Sequence, residues 1–264
     1  MSREQPFGNG PVKIARPIRL WKPCGRESTL SRREDLDEFY DILGGLRVRL
    51  GGCRRLADCH GRMPWPERGV YFFFESGETR EDGRTDRVVR VGTHAISSPS
   101  RAKFWTRLYQ HRGPSGGGYA GGGSHRGSVF RELMGEALLE SGGFEQVRST
   151  WGGRIDPPGV RRTEHVLEMA VSERIRAMPF LWLEVNDEPS PLCRRRMIEL
   201  NAIALLSNFH REPIDSPSLN WLGRRSPWPR VRESGLWNRN DVDRNWDSSF
   251  LALLRSAGES CLRP

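Results

Sequence analysis

Two short apolar runs constrain this chain more than any other feature. "VYFFFE", Val70 to Glu75, is built from aromatic and β-branched residues, and "RVVRVG", Arg87 to Gly92, repeats that character after the charged stretch "SGETREDGRTD" with its Gly77 and Gly83. Such residues fit a pleated, buried surface, and the glycine-bearing stretch between them predicts an antiparallel hairpin with a long loop. A helix is expected next, and from Lys103 to Arg112 it contains no acidic residue. An exposed helix normally balances its cations with carboxylates at helical spacing, so this one is a candidate surface for phosphate.

The remaining elements are read from period and punctuation. About the first thirty residues are polar and rich in Pro and Gly, an irregular arm. Ser31 with Glu34 forms a capping box ahead of Leu36, Phe39, Tyr40, Leu43, Leu46 and Leu50 at helical spacing. The segment Gly113 to Gly127, "GPSGGGYAGGGSHRG", reads as a mobile connection, and it lacks the Lys-Ser/Thr ending of a phosphate-cradling loop. Helices are expected from about Ser128 and in "EHVLEMAVSERIRAM", and "FLWLEV" is a third strand. "PLCRRRMIELNAIALLSNF" is an amphipathic helix with Leu192, Met197, Ile198, Ile203, Leu205 and Leu206 on its apolar side, and a last helix lies near "SSFLALLRSA". The expected fold is α/β (α+β): a small antiparallel three-stranded sheet flanked by helices, with helical insertions.

Charge narrows the partners. Lys plus Arg number 42 against 33 for Asp plus Glu, a net charge of +9, which favours polyanions and nucleic acid first. No apolar run approaches a membrane span and "MSREQPFGNG" lacks the hydrophobic stretch of a signal peptide, so a cytoplasmic location is expected. The five cysteines, Cys24, Cys53, Cys59, Cys193 and Cys261, are scattered and suit a reducing compartment; Cys53, Cys59 and His60 lack the second pair of a zinc site.

"GVY" (Gly69 to Tyr71), "RVG" (Arg90 to Gly92), Arg107 and His111 on the following helix, Glu199 in "MIELNAIALL" and Asn220 in "SPSLNWLG" occur in the order of known motifs. Over roughly residues 68 to 222, with a large insertion between Arg112 and Phe180, the chain resembles the GIY-YIG nuclease superfamily, most closely its restriction-enzyme-like branch. The resemblance implies a nuclease core over residues 67–222 with an insertion at 113–179, preceded by a helical segment at 31–66 and followed by an extension at 223–264. It implies a metal-dependent DNA endonuclease leaving 5′-phosphate and 3′-hydroxyl ends, with Tyr71, Arg90, Arg107, His111, Glu199 and Asn220 in the catalytic site and Glu199 on Mg²⁺ or Mn²⁺. One position departs from the family: Arg90 stands where the second motif normally begins with Tyr.

Phosphodiester hydrolysis gives each of these groups something to do. Glu199 offers a hard oxygen to a cation that keeps most of its waters, and Arg107 a planar fork to the scissile phosphate. Tyr71 orients or deprotonates water if nearby cations favour its phenolate, and His111, one turn beyond Arg107, could accept a proton from Tyr71 or from water. Lys103, Arg112, His125 and Arg126 could track a DNA backbone, RNA not being excluded, and the Gly127 and Ser128 amides suit a phosphate oxygen. Plainer roles stand beside these. His111 could satisfy a backbone carbonyl, Tyr71 could be a core residue, Glu199 could pair with Arg195 or Arg196, Asn220 could fix a turn, and Arg126 could be a solvated charge. Glu168, Glu184 and Glu188 are rival metal ligands. Arg90 either takes over the missing phenol's contacts or marks a fold that binds nucleic acid and cuts it poorly, the alternative to an active enzyme.

Overall fold

The computed structural model describes residues 29–97, 100–154 and 158–260; the expected N-terminal arm, Cys24 and Cys261 lie outside them. The first described element is α1 (Thr29–Arg49), so Ser31 lies inside the helix and is not its cap. A two-residue strand, β1 (Arg54–Arg55), follows, then the hairpin of β2 (Gly69–Thr79) and β3 (Asp86–Gly92), α2 (Phe104–Arg112), α3 (Val129–Glu140), α4 (Pro158–Ala177) and β4 (Pro179–Glu184). The last part carries α5 (Arg194–Leu206), α6 (Pro229–Ser234) and α7 (Phe250–Ser260).

The sheet has four strands, not the expected three, in the order β1-β4-β2-β3 and antiparallel throughout. The extra strand was invisible in sequence because Arg54 and Arg55, which pair with Phe180 and Pro179, carry no alternating pattern. Tyr71 lies opposite Gly92 on β3 and Trp182 on β4, and Phe73 opposite Arg90 and Phe180, so these positions share one face. A bulge follows between Phe73 and Phe74.

Each face has its own helical layer. Phe72 meets Phe39 of α1 on one side, where α5 and α7 also pack. On the other, Tyr71 meets Phe104 and His111 of α2, and Phe73 meets Phe130 of α3. On α5, Ile198, Ile203, Leu205 and Leu206 are buried, but Met197 is exposed and Leu192, ahead of the helix, is 85% exposed, so neither belongs to the apolar side.

The glycine-rich segment is packed rather than a free tether. Ser172 Oγ donates to the Gly122 carbonyl at 2.9 Å, and a Cβ on Gly123 would lie 2.6 Å from Arg131 Nε. Glycine there lets backbone lie directly against a buried cation. Among the described residues no helix is long and apolar enough to cross a membrane.

Candidate active site

The end of β3 organises the site. A Cβ on Gly92 would lie 2.5 Å from Cζ of Tyr71 and closer still to its hydroxyl oxygen, so the phenol crosses the neighbouring strand only because that position is bare. The Tyr71 hydroxyl shares a hydrogen bond of 2.8 Å with His111 Nε2, and His111 Nδ1 lies 2.7 Å from Ser128 Oγ. All three side chains are buried. Burial first, then Arg107, Arg90 and Arg131, holds His111 well below the ordinary imidazole range, so the ring is neutral.

Arg90 points to the same face as Tyr71. It is 7% exposed, donates to the Trp237 carbonyl, and lies with its guanidinium 5.4 Å from the Phe130 ring centre. Its Nε has no hydrogen-bond partner. Burial lowers its pKa, while Tyr71 and Glu199 favour the charged form, so Arg90 is the electrostatic neighbour these two groups share. β3 would be an open edge, but Trp237 donates its amide to the Val89 carbonyl at 2.7 Å, and Asn238 takes the Val91 amide at 3.2 Å while donating to its carbonyl at 2.9 Å. That strip covers the edge as a strand would.

Glu199 reaches the end of β3 from α5. One oxygen accepts the Thr93 amide at 3.0 Å and the other the Arg196 guanidinium at 2.9 Å, the ion pair that sequence had offered as its plainer role. Burial raises its pKa, with Arg196 and then Arg90 pulling it back towards the anion. Of the rival carboxylates, Glu168 is bound to Arg131 and His125 and Glu184 accepts from Asn186, while Glu188 is exposed with Arg68 3.9 Å away. Among the described residues no group of three or more His, Cys, Asp or Glu side chains could hold a metal. Among the described residues there is thus no donor set for a closed zinc centre.

Arg107 sits half-buried on the flank of α2, donating to Gln110 Oε1 and the Gly127 carbonyl, both at 3.0 Å. It lines an open cleft of about 290 Å³ with Ser128, Arg126, Arg154 and Arg239. Tyr71, Arg90, His111 and Glu199 thus share one electrostatic neighbourhood, with Arg107 acting on both Arg90 and His111.

Other expected residues lie elsewhere. Asn220 is exposed in a turn, and the Asn beside the site is Asn238, which sequence reading missed. Arg112 turns inward to the Leu56 carbonyl, His125 is buried against Glu168, and Arg126 is bound twice by Glu164. The Gly127 and Ser128 amides donate to Ser124 and His125 in a 3-10 turn, so they are spent locally. Lys103 is exposed at the start of α2.

This geometry agrees with the comparison of sequences, in which the GIY-YIG domain matches residues 30–263, most of the chain. The chain belongs to the GIY-YIG domain family. No curated protein and no solved structure matches it. Within this GIY-YIG protein the side chains of Ser128, Arg131 and Asn238 were not singled out from sequence for the contacts they make. The signal available for Ser128 was its place just ahead of the apolar run of α3, where a serine caps a helix, and that signal says nothing of His111.

Proposed function

We propose that this GIY-YIG protein is a metal-dependent endonuclease that hydrolyses a DNA phosphodiester bond by water attack. The observation that carries the reading is the buried hydrogen bond between Tyr71 and His111, with Arg90 on the same face of the sheet. With Tyr71 as the phenolate, its own proton having gone to solvent, the phenolate oxygen takes a proton from water, the water oxygen bonds to phosphorus, and the bond to the 3′ oxygen breaks, that oxygen acquiring a proton from solvent. Arg107 orients the phosphate, and Arg90 offsets negative charge near the phenol. Glu199 would hold Mg²⁺ or Mn²⁺, which when bound would supply positive charge to stabilise the leaving oxygen. Lys103 and the exposed Arg154 extend the cationic surface for flanking phosphates. On this reading residues 67–222 form the nuclease core, 113–179 its insertion, and 31–66 and 223–264 the flanking segments.

A second reading, a binding module that cuts weakly, is favoured by a specific observation: Tyr71 and His111 expose no surface, and Arg90 is anchored to Trp237. Supercoiled plasmid incubated with Mg²⁺ or Mn²⁺ decides between them. Nicking that depends on the metal and is lost in Tyr71→Phe supports hydrolysis. Salt-sensitive binding without nicking at any metal concentration supports the module.

A further inference from the structure

Ser128 joins two structures with one hydroxyl. It caps α3, its Oγ accepting the Arg131 amide at 3.3 Å, and it lies 2.7 Å from His111 Nδ1. A serine hydroxyl has one proton to give and two lone pairs to offer, and the Arg131 amide takes one lone pair. Ser128 is 1% exposed, and among the described residues the polar atoms bonded to its Oγ are the Arg131 amide and His111 Nδ1. If Nδ1 carried the hydrogen, the serine proton would be buried with no acceptor, whereas with Nε2 carrying it no proton is stranded once Tyr71 is the phenolate that the proposed reaction requires. The hydroxyl therefore donates to Nδ1. A neutral imidazole has one ring proton, which then resides on Nε2 and points at the Tyr71 oxygen 2.8 Å away.

We propose that Ser128 is a positioning residue that fixes His111 as the Nε2–H tautomer, so that His111 donates a hydrogen bond to the Tyr71 oxygen and does not take the phenol's proton. The proposal rests on Tyr71 being the group that works on water. It makes His111 a hydrogen-bond donor to Tyr71, in place of the proton acceptor that sequence offered. The Tyr71 oxygen then receives the imidazole N–H, with the Arg90 guanidinium as its electrostatic neighbour. The Arg131 guanidinium holds the His111 carbonyl at 2.8 Å, so ring and hydroxyl are positioned from the same helix.

The test is long-range ¹H–¹⁵N spectroscopy of the imidazoles in the full chain, with the His111 signals assigned by their loss in His111→Gln. The wild type should show a protonated Nε2 and a bare Nδ1. Ser128→Gly removes the hydroxyl while keeping a residue tolerated at a helix cap, and should move the proton wholly or partly to Nδ1. Plasmid-nicking kcat should fall by roughly tenfold or more with KM little changed, and Ser128→Thr should restore both the tautomer and the rate. A wild-type ring protonated on Nδ1 overturns the proposal, as does an unchanged tautomer in Ser128→Gly. If the tautomer moves but kcat does not, and Tyr71→Phe also cuts normally, Ser128 sets the tautomer as proposed and the reading of Tyr71 fails instead.

Discussion

Gly92→Ala tests whether the position of the Tyr71 hydroxyl matters. The added methyl would lie 2.5 Å from Cζ, 2.6 Å from Cε2 and closer still to the hydroxyl oxygen. Gly92 has no left-handed backbone, so space alone opposes the change. Ordinary contact begins near 3.4 Å, so the ring must retreat by about 1 Å. Buried and clamped by Phe73, Phe104 and His111, it cannot retreat freely, and the overpacking should cost about 1–3 kcal/mol. A shift of that size would stretch the 2.8 Å bond to His111 past hydrogen-bonding range. Nicking should then slow on the order of 10²-fold, as expected for a 1 Å misplacement. Urea unfolding measures the first effect and single-turnover nicking under native conditions the second. Wild-type stability together with wild-type nicking would refute the argument that Gly92 is bare to admit the phenol.

Glu199→Gln should abolish metal-dependent nicking while DNA binding, measured by fluorescence anisotropy, holds or tightens, because a neutral amide is a poor ligand yet removes a negative charge. Arg107→Ala should slow nicking by about 10²-fold or more, and an effect confined to affinity would make Arg107 a backbone contact only. Arg90→Ala should lose activity heavily and Arg90→Tyr regain part of it in the same nicking assay if the guanidinium stands in for a phenol. Acid should destabilise the fold through its buried neutral histidines. Burial, with Arg195, lowers His94 to about 4, so the unfolded chain binds the proton first; stability is intact above about pH 6.5 and lost as pH falls towards 4. His94→Gln should flatten that limb of a urea-midpoint profile.

The hairpin, the cationic helix and the helix carrying Glu199 were legible because each owns a local pattern: aromatic and β-branched runs, an acid-free helix, apolar spacing. Tyr71, Arg107, His111 and Glu199 could be named because motif order fixes them to those elements. Asn238 could not. It reaches β3 across 147 positions of sequence, and nothing in "GLWNRND" says that this loop lies along a strand edge. For Arg112, His125 and Arg126, offered as residues that could track a DNA backbone, sequence shows the cation or imidazole but not the carbonyl or carboxylate that it engages. β1 escaped because two residues are too few for any period.

The insertion changes in meaning once its contacts are counted as part of the site. Arg131 on α3 donates to the His111 carbonyl and to Glu168 on α4, and Glu168 in turn holds His125. Breaking such a buried pair leaves one charge uncompensated, which is more damaging than losing an exposed pair. Gly122 and Gly123 close the packing on the same network, Gly122 through Ser172 and Gly123 against Arg131. A stretch that reads in sequence as a tether between helices is therefore the wall against which His111 is set. The distance from the insertion to the phenol is two hydrogen bonds, Ser128 to His111 and His111 to Tyr71, so on the proposed reading substitutions in this wall should act on Tyr71 through its orientation.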